Sequence, residues 1–258
     1  MYNTITYSTY KQGGLLILNR PHNRNAVSFE MIEELKMLLQ DLKNEPNINY
    51  LILTGAGSSS FCSGGDLHEF HPNIKKNILL EKLSAMKGIL YDLATFPVPT
   101  IALLNGHARG GGCEIASACD YRVAQVGKTF GYVQADLGIS TGFGGGSFLY
   151  KRISSKQAFD WIMKGKIYTS EELHNVGWID SLFREEGIGH YSSIPLIRTL
   201  EERNHYQLIL WKKQYMKEIG ILNEDFLEQL SNEIHGCTQL WGNKRHKEAI
   251  DLFFRRKK

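Results

Sequence analysis

Three short, continuous apolar runs alternate with helix-like segments, and this alternation constrains the fold more than any other feature. The runs are Leu15-Leu16-Ile17-Leu18, Tyr50-Leu51-Ile52-Leu53-Thr54 and Thr100-Ile101-Ala102-Leu103-Leu104. Unbroken apolar runs of this kind suit strands covered on both faces. Between the first two, Ser28 is placed to cap a helix whose Met31, Ile32, Leu35, Leu38, Leu39 and Leu42 recur at helical spacing. Between the second and third, Leu83, Met86, Ile89 and Leu90 mark a helix near residues 79–93, which Pro97 and Pro99 close. A small-residue helix, Cys113 to Cys119, follows the third run. Repeated strand-then-helix order predicts parallel strands with helical crossovers, an α/β fold.

From about Asn204 the pattern turns to helices alone, with one expected over Phe226–His235 and another over Thr238–Phe254. We therefore divide the chain into a core, 1–203, and a C-terminal helical region, 204–258. Leu240, Trp241, Ile250, Phe253 and Phe254 need a covering surface, either the main core or another subunit.

Composition removes several classes. Lys and Arg number 30 against 27 Asp and Glu, a formal net charge of +3 over 258 residues. That is no nucleic-acid footprint, and the basic tail Arg255-Arg256-Lys257-Lys258 reads as a solvated helix end. The cysteines, Cys62, Cys113, Cys119 and Cys237, are scattered without a CxxC pair, which argues against a disulfide scaffold. The first residues carry no basic and apolar blocks of a signal peptide, and no apolar run approaches the roughly 20 residues of a membrane span. The expectation is a reduced, cytoplasmic, soluble protein that binds neither nucleic acid nor membrane.

Two glycine-rich turns carry the chemistry. Phe61-Cys62-Ser63-Gly64-Gly65-Asp66-Leu67 and Asn105-Gly106-His107-Ala108-Arg109-Gly110-Gly111-Gly112-Cys113-Glu114 each follow an apolar run, where parallel sheets bind their ligands. Glycine lets a ligand approach the backbone, and the second turn also opens a helix whose first N–H groups are free. Converging, the two turns would form an oxyanion hole.

Other motifs fail. Gly127-Lys128-Thr129 lacks the leading glycine of a P-loop, since Arg122 stands there, and Gly142-Phe143-Gly144-Gly145-Gly146-Ser147 has Ser147 at the third glycine of a dinucleotide fingerprint. His68-Glu69-Phe70-His71 is one residue short of the HExxH zinc pattern, so no metal is expected. No GxSxG elbow is present.

The ordered set of motifs resembles the crotonase (enoyl-CoA hydratase/isomerase) superfamily. It comprises Leu18-Asn19-Arg20-Pro21 with Asn25-Ala26, the two glycine turns, and Pro97-Val98-Pro99-Thr100-Ile101-Ala102. It continues through Asp120-Tyr121-Arg122-Val123-Ala124, Phe130-Gly131, Leu137-Gly138-Ile139 and Glu248-Ala249. The resemblance implies a crotonase-like spiral of ββα turns with a C-terminal helical trimerisation region, a homotrimer or a hexamer of paired trimers. It implies a coenzyme A thioester as substrate, no further cofactor, and a place in acyl or fatty-acid metabolism.

By the same resemblance, the N–H groups of Gly65 and Gly111 form the oxyanion hole and Glu114 is general acid/base. Ser63, Asp66, Leu67 and His68 line the path of coenzyme A, while Arg24 and Ala26 lie toward its nucleotide end. Hydratases of this family use a second glutamate, and here that position is Gln134, in Phe130-Gly131-Tyr132-Val133-Gln134. The amide of Gln134 can hold a water but cannot exchange a proton near neutral pH. The usual proline of the next loop is replaced by Thr141. If the segment is extended, Asp136 faces the same side as Gln134; the simpler reading is a surface aspartate that begins a helix or loop. Hydration, double-bond isomerisation, decarboxylation and binding without catalysis all remain open, because fold alone does not name the reaction.

Overall fold

The computed structural model describes residues 2–43, 48–184 and 191–255. It opens on a hairpin: β1 (Ile5–Tyr10) and β2 (Gly13–Leu18) run antiparallel, Ile5 opposite Leu18 and Tyr10 opposite Gly13. The apolar runs did not announce β1, and they suggested parallel pairing throughout. Lys11 and Gln12 alone join the two strands, and so short a link allows only an antiparallel return. After it, α1 (Phe29–Leu42) begins where Ser28 Oγ accepts the Met31 N–H at 3.1 Å. Its buried face carries Met31, Ile32, Leu35, Leu38, Leu39 and Leu42. Each such side chain contributes about 1.5–3 kcal/mol on leaving water, which is what docks the helix.

From here the chain repeats one unit. β3 (Tyr50–Gly55), β5 (Thr100–Leu104) and β7 (Tyr121–Gln125) enter one sheet. Each is followed at once by a short strand of a second sheet: β4 (Ser60–Cys62), β6 (His107–Arg109) and β8 (Thr129–Gly131). Helices leave the second sheet: α2 (Lys76–Ala94) after β4, α3 (Gly111–Ala118) after β6, and α4 (Gly145–Leu149) with α5 (Ser155–Lys164) after β8. Then β9 (Ile167–Thr169) pairs antiparallel with β8, α6 (Ser170–Val176) crosses over, and β10 (Ser181–Phe183) pairs parallel with β7. The sheet orders are β1-β2-β3-β5-β7-β10 and β4-β6-β8-β9. This is the ββα spiral.

The side-by-side, parallel arrangement of β4, β6 and β8 positions the site. Gly65, Gly111 and Gln134 each lie just beyond the end of one of these strands, so three separate motifs arrive at one sheet edge.

Helices α7 (Pro195–Glu201), α8 (His205–Glu218), α9 (Glu224–Leu240) and α10 (Lys244–Arg255) complete the described chain. The break between the last two falls at Trp241–Asn243, several residues later than the expected His235–Thr238 gap. Phe226, Leu230, Ile234 and Cys237 form one buried stripe, which carries α9 straight through Gly236. Gly242 makes the break, with φ 71° and an N–H donated to Nδ1 of the fully buried His246 at 2.9 Å. Burial lowers that imidazole to about 4, so it stays neutral.

Much of the late apolar surface is covered by the chain itself. Ile250 is buried, and Trp241 packs on Phe70 and gives its indole N–H to the His71 carbonyl at 3.3 Å. The Phe254 ring reaches within 5.3 Å of the His68 ring. Leu240 and Phe253 stay exposed. Of the basic tail, Arg256, Lys257 and Lys258 lie outside the described residues. All four cysteines are free and buried, and burial pushes the thiols of Cys62, Cys113 and Cys119 up to about 12. Among the described residues, no helix is long and apolar enough to cross a membrane.

Candidate active site

The two glycine turns meet. Val27 bridges to Gly65 in the parallel sense: its N–H donates to the Gly64 carbonyl at 2.8 Å, and its carbonyl accepts the Asp66 N–H at 2.9 Å. Those bonds use the neighbours of the Gly65 amide and leave that amide without an acceptor among the described residues. The Gly111 amide, at the first position of α3, has none either. A methyl group built on Gly64 would lie 3.3 Å from the Gly111 nitrogen, which brings the two turns within ligand-sharing distance. Phe70 lies against Gly65 and Phe143 against Gly111, their ring centres 6.1 Å apart, as an apolar wall beside both amides.

One turn of helix beyond Gly111, Glu114 is 2% exposed. Its Oε1 accepts from Gln134 Nε2 at 2.7 Å and from the Gly142 N–H at 3.3 Å. Its Oε2 accepts from the N–H groups of Phe143 and Gly145 at 2.8 and 2.9 Å. Burial raises its pKa to about 7, with the negative charge of Glu233 adding to the rise, while the three amides favour the ionised form. A buried carboxyl that titrates near neutrality suits general acid/base work.

Gln134 is 6% exposed and sits in a 3-10 turn, Val133–Ala135. Its Nε2 is committed to Glu114, and its Oε1 is buried with no donor among the described residues. Beneath both, the Tyr132 hydroxyl lies 2.8 Å from Ser117 Oγ and 3.2 and 3.3 Å from the carbonyls of Cys113 and Gly145.

The remaining expected positions gather on the Gly65 side. The Ser63 N–H donates to the Arg24 carbonyl at 3.1 Å, and Ala26 is buried beside Val27. The Arg24 side chain is exposed, as is that of His68, while Leu67 is half-buried. Asp66 was expected to touch substrate, yet its carboxylate is turned inward. Oδ2 pairs with Arg20 at 2.9 Å and Oδ1 accepts the His68 N–H at 3.1 Å, so it braces the loop. Asp136 does not join Gln134. The 3-10 turn replaces the extended geometry that would have aligned them, and Asp136 is exposed against Gly165. Thr141, at the proline position, is buried. Among the described residues, no three His, Cys, Asp or Glu side chains converge as a metal site.

Sequence reasoning missed Phe70, Phe143, Tyr132 and Glu233. Phe70, Tyr132 and Phe143 each stand inside a motif, His68–His71, Phe130–Gln134 and Gly142–Ser147, whose meaning lay in its other residues; Glu233 stands in none.

A family model described as enoyl-CoA hydratase/isomerase matches residues 11–258. The chain belongs to the enoyl-CoA hydratase/isomerase family. Among its relatives, YngF of Bacillus subtilis, named for the same family, is 37% identical over 166 residues, 64% of this chain and 64% of that protein. The short-chain-enoyl-CoA hydratase of Clostridium acetobutylicum is 31% identical over 176 residues, 67% of this chain and 66% of that protein. These alignments therefore span just under two thirds of each relative's length. In three dimensions, an enoyl-CoA hydratase from Bacillus halodurans superposes with a TM-score of 0.87 at 24% identity. It covers 97% of this family member and 100% of the other chain, which establishes the shared fold.

Proposed function

We propose that the protein acts on acyl-coenzyme A thioesters, as an enoyl-CoA hydratase/isomerase-type enzyme with Glu114 as its one proton-carrying side chain. The observation that carries this reading is the 2.7 Å bond from Gln134 Nε2 to Glu114 Oε1. It pairs Glu114 with an amide that cannot exchange a proton, which supports a reading with a single proton-carrying group near the Gly65 and Gly111 amides. The thioester carbonyl accepts from the Gly65 and Gly111 N–H groups, which stabilise the negative oxygen of an enolate. Glu114 takes a proton and returns it. In hydration it takes one from water, whose oxygen bonds to C3, and delivers it to C2. In isomerisation of a 3-enoyl thioester it moves one from C2 to C4. For hydration, the unpaired Gln134 Oε1 is the acceptor that holds the attacking water.

Decarboxylation is the second reading. A carboxyl titrating near 7 carries a proton in part of the population at neutral pH. It can give that proton to the enolate left when a malonyl-type thioester loses carbon dioxide. Binding without catalysis is disfavoured, since a pure binder has no use for a buried, neutral-range carboxyl.

The assembly proposed is a homotrimer or a dimer of trimers. Its contacts cover exposed apolar groups such as Tyr206, Leu210 and Trp211 on α8, and light scattering reads the mass.

The deciding experiment is product mass from purified protein and a short trans-2-enoyl-CoA, with Gln134→Glu alongside. Addition of one water by the native protein supports single-carboxylate hydration. Hydration by Gln134→Glu alone moves the assignment to isomerisation or decarboxylation, tested with 3-enoyl and malonyl-type thioesters. No turnover of any of the three by native protein overturns the enzyme reading.

A further inference from the structure

The turn from Gly142 to Ser147 divides its amides between two carboxylates. Gly142, Phe143 and Gly145 donate to Glu114. The next two N–H groups, Gly146 and Ser147, donate instead to Glu233 on α9, at 3.0 and 2.8 Å, and the Ser147 hydroxyl adds a bond of 2.6 Å. Consecutive peptides thus point at different acids, so one short turn anchors both carboxylates. There is no slack in the turn, because a methyl at Gly145 would lie 2.1 Å from Glu114 Cβ and one at Gly146 would lie 3.1 Å from Glu233 Oε1.

Among the described residues, the other titratable groups facing this pair include two thiols and two phenols, none of them a cation. Cys113 is on α3, Tyr132 follows β8, Cys237 is on α9, and Tyr150 faces Glu233 from the end of α4. Burial is the first cause raising each of them, which favours the neutral form. Lys87 of α2 passes Gly144 with its stem and directs Nζ to Ser231 Oγ at 3.1 Å.

We infer that Glu233 is a positioning residue for Glu114: it anchors the far side of the turn whose other amides hold Glu114, and it sets a like charge behind the carboxyl it steadies. A like charge behind the turn opposes ionisation of Glu114. Removing it while keeping an acceptor oxygen releases that opposition. The inference rests on the reading of Glu114 as the proton carrier, but the titration is read without substrate.

The test is a carbon-13 NMR titration of the full-length protein labelled at its glutamate carboxyls, with Glu114→Gln identifying the Glu114 resonance. Wild type is expected to show that carboxyl titrating near 7. In Glu233→Gln the midpoint falls on the order of one pH unit, and the pH profile of kcat moves with it. Ser147→Ala removes a hydroxyl bond but keeps the charge, and leaves the midpoint in place. An unmoved midpoint in folded Glu233→Gln overturns the inference and makes Glu233 a structural cap. If Glu233→Gln does not fold, Glu233→Asp is titrated instead, with the amide shifts of Phe143 and Gly145 checking that the turn is kept; with the turn kept, a midpoint that does not fall overturns the inference. A wild-type midpoint at the ordinary value of about 4.3 overturns the inference without any variant. Should the midpoint move as expected while no thioester is turned over, the proposed reaction fails and the role of Glu233 stands.

Discussion

Two acids close in sequence, Glu114 within α3 and Asp120 just after it, are both buried and are treated in opposite ways. Asp120 is 7% exposed; its Oδ2 accepts the Thr100 N–H at 2.9 Å and pairs with Lys212 of α8, a side chain with 2% exposure. Glu114 receives four neutral donors and no cation, with another acid behind its loop. Opposite charge makes Asp120 a fastener between the sheet and the C-terminal helices. Neutral donors hold Glu114 in place without fixing its charge, and they leave it free to trade a proton. Low-dielectric surroundings punish an uncompensated charge in either case, so the partner supplied decides the role.

The sharpest way to break this contrast is to neutralise each acid's environment and compare the readouts. Glu114→Gln should cost turnover on the order of 1,000-fold in kcat, with acyl-CoA affinity by calorimetry nearly unchanged. Unchanged kcat removes Glu114 from the chemistry. Lys212→Met should cost about 3–5 kcal/mol of stability in urea unfolding, because it strands Asp120, and should leave the pH profile of kcat alone. Adding Asp120→Asn should return much of that loss; a profile that moves with Lys212→Met would show that the fastener also tunes the site. The smallest effect expected is the pH dependence itself. With Glu114 near 7, a reaction that begins with its carboxylate form rises about tenfold per pH unit below 7 and levels above it. A reaction that needs its protonated form does the reverse, so the slope of kcat/KM between pH 5.5 and 8.5 tells base from acid.

What could be read in advance follows from how local each signal is. The strands declared themselves because Tyr50–Thr54 and Thr100–Leu104 are continuous apolar runs, and the two converging glycine turns because glycine clusters follow such runs. Glu114 was legible through its motif, as was the substitution at Gln134. The bond between them was not, since it exists only because β6 and β8 lie side by side. Glu233 carried no local mark, and nothing in α9 suggests that its acid reaches the amides of Gly146 and Ser147. Asp136 would share a face with Gln134 only on an extended backbone; the 3-10 turn leaves it a surface aspartate, the simpler of the two readings its sequence allowed. The late helix break falls beyond the expected 235–238 gap because the buried stripe ending at Cys237 outweighs the roughly 1 kcal/mol penalty of Gly236 within the helix.

The adjacent ends of β4, β6 and β8 have an evolutionary consequence. In the proposed function, carbonyl capture would sit at the ends of two strands, and Gln134, the partner of Glu114, sits at the end of the third. On that reading, drift in the loop after β8 would change the partner of Glu114, and with it the reaction, while both glycine turns are inherited unaltered.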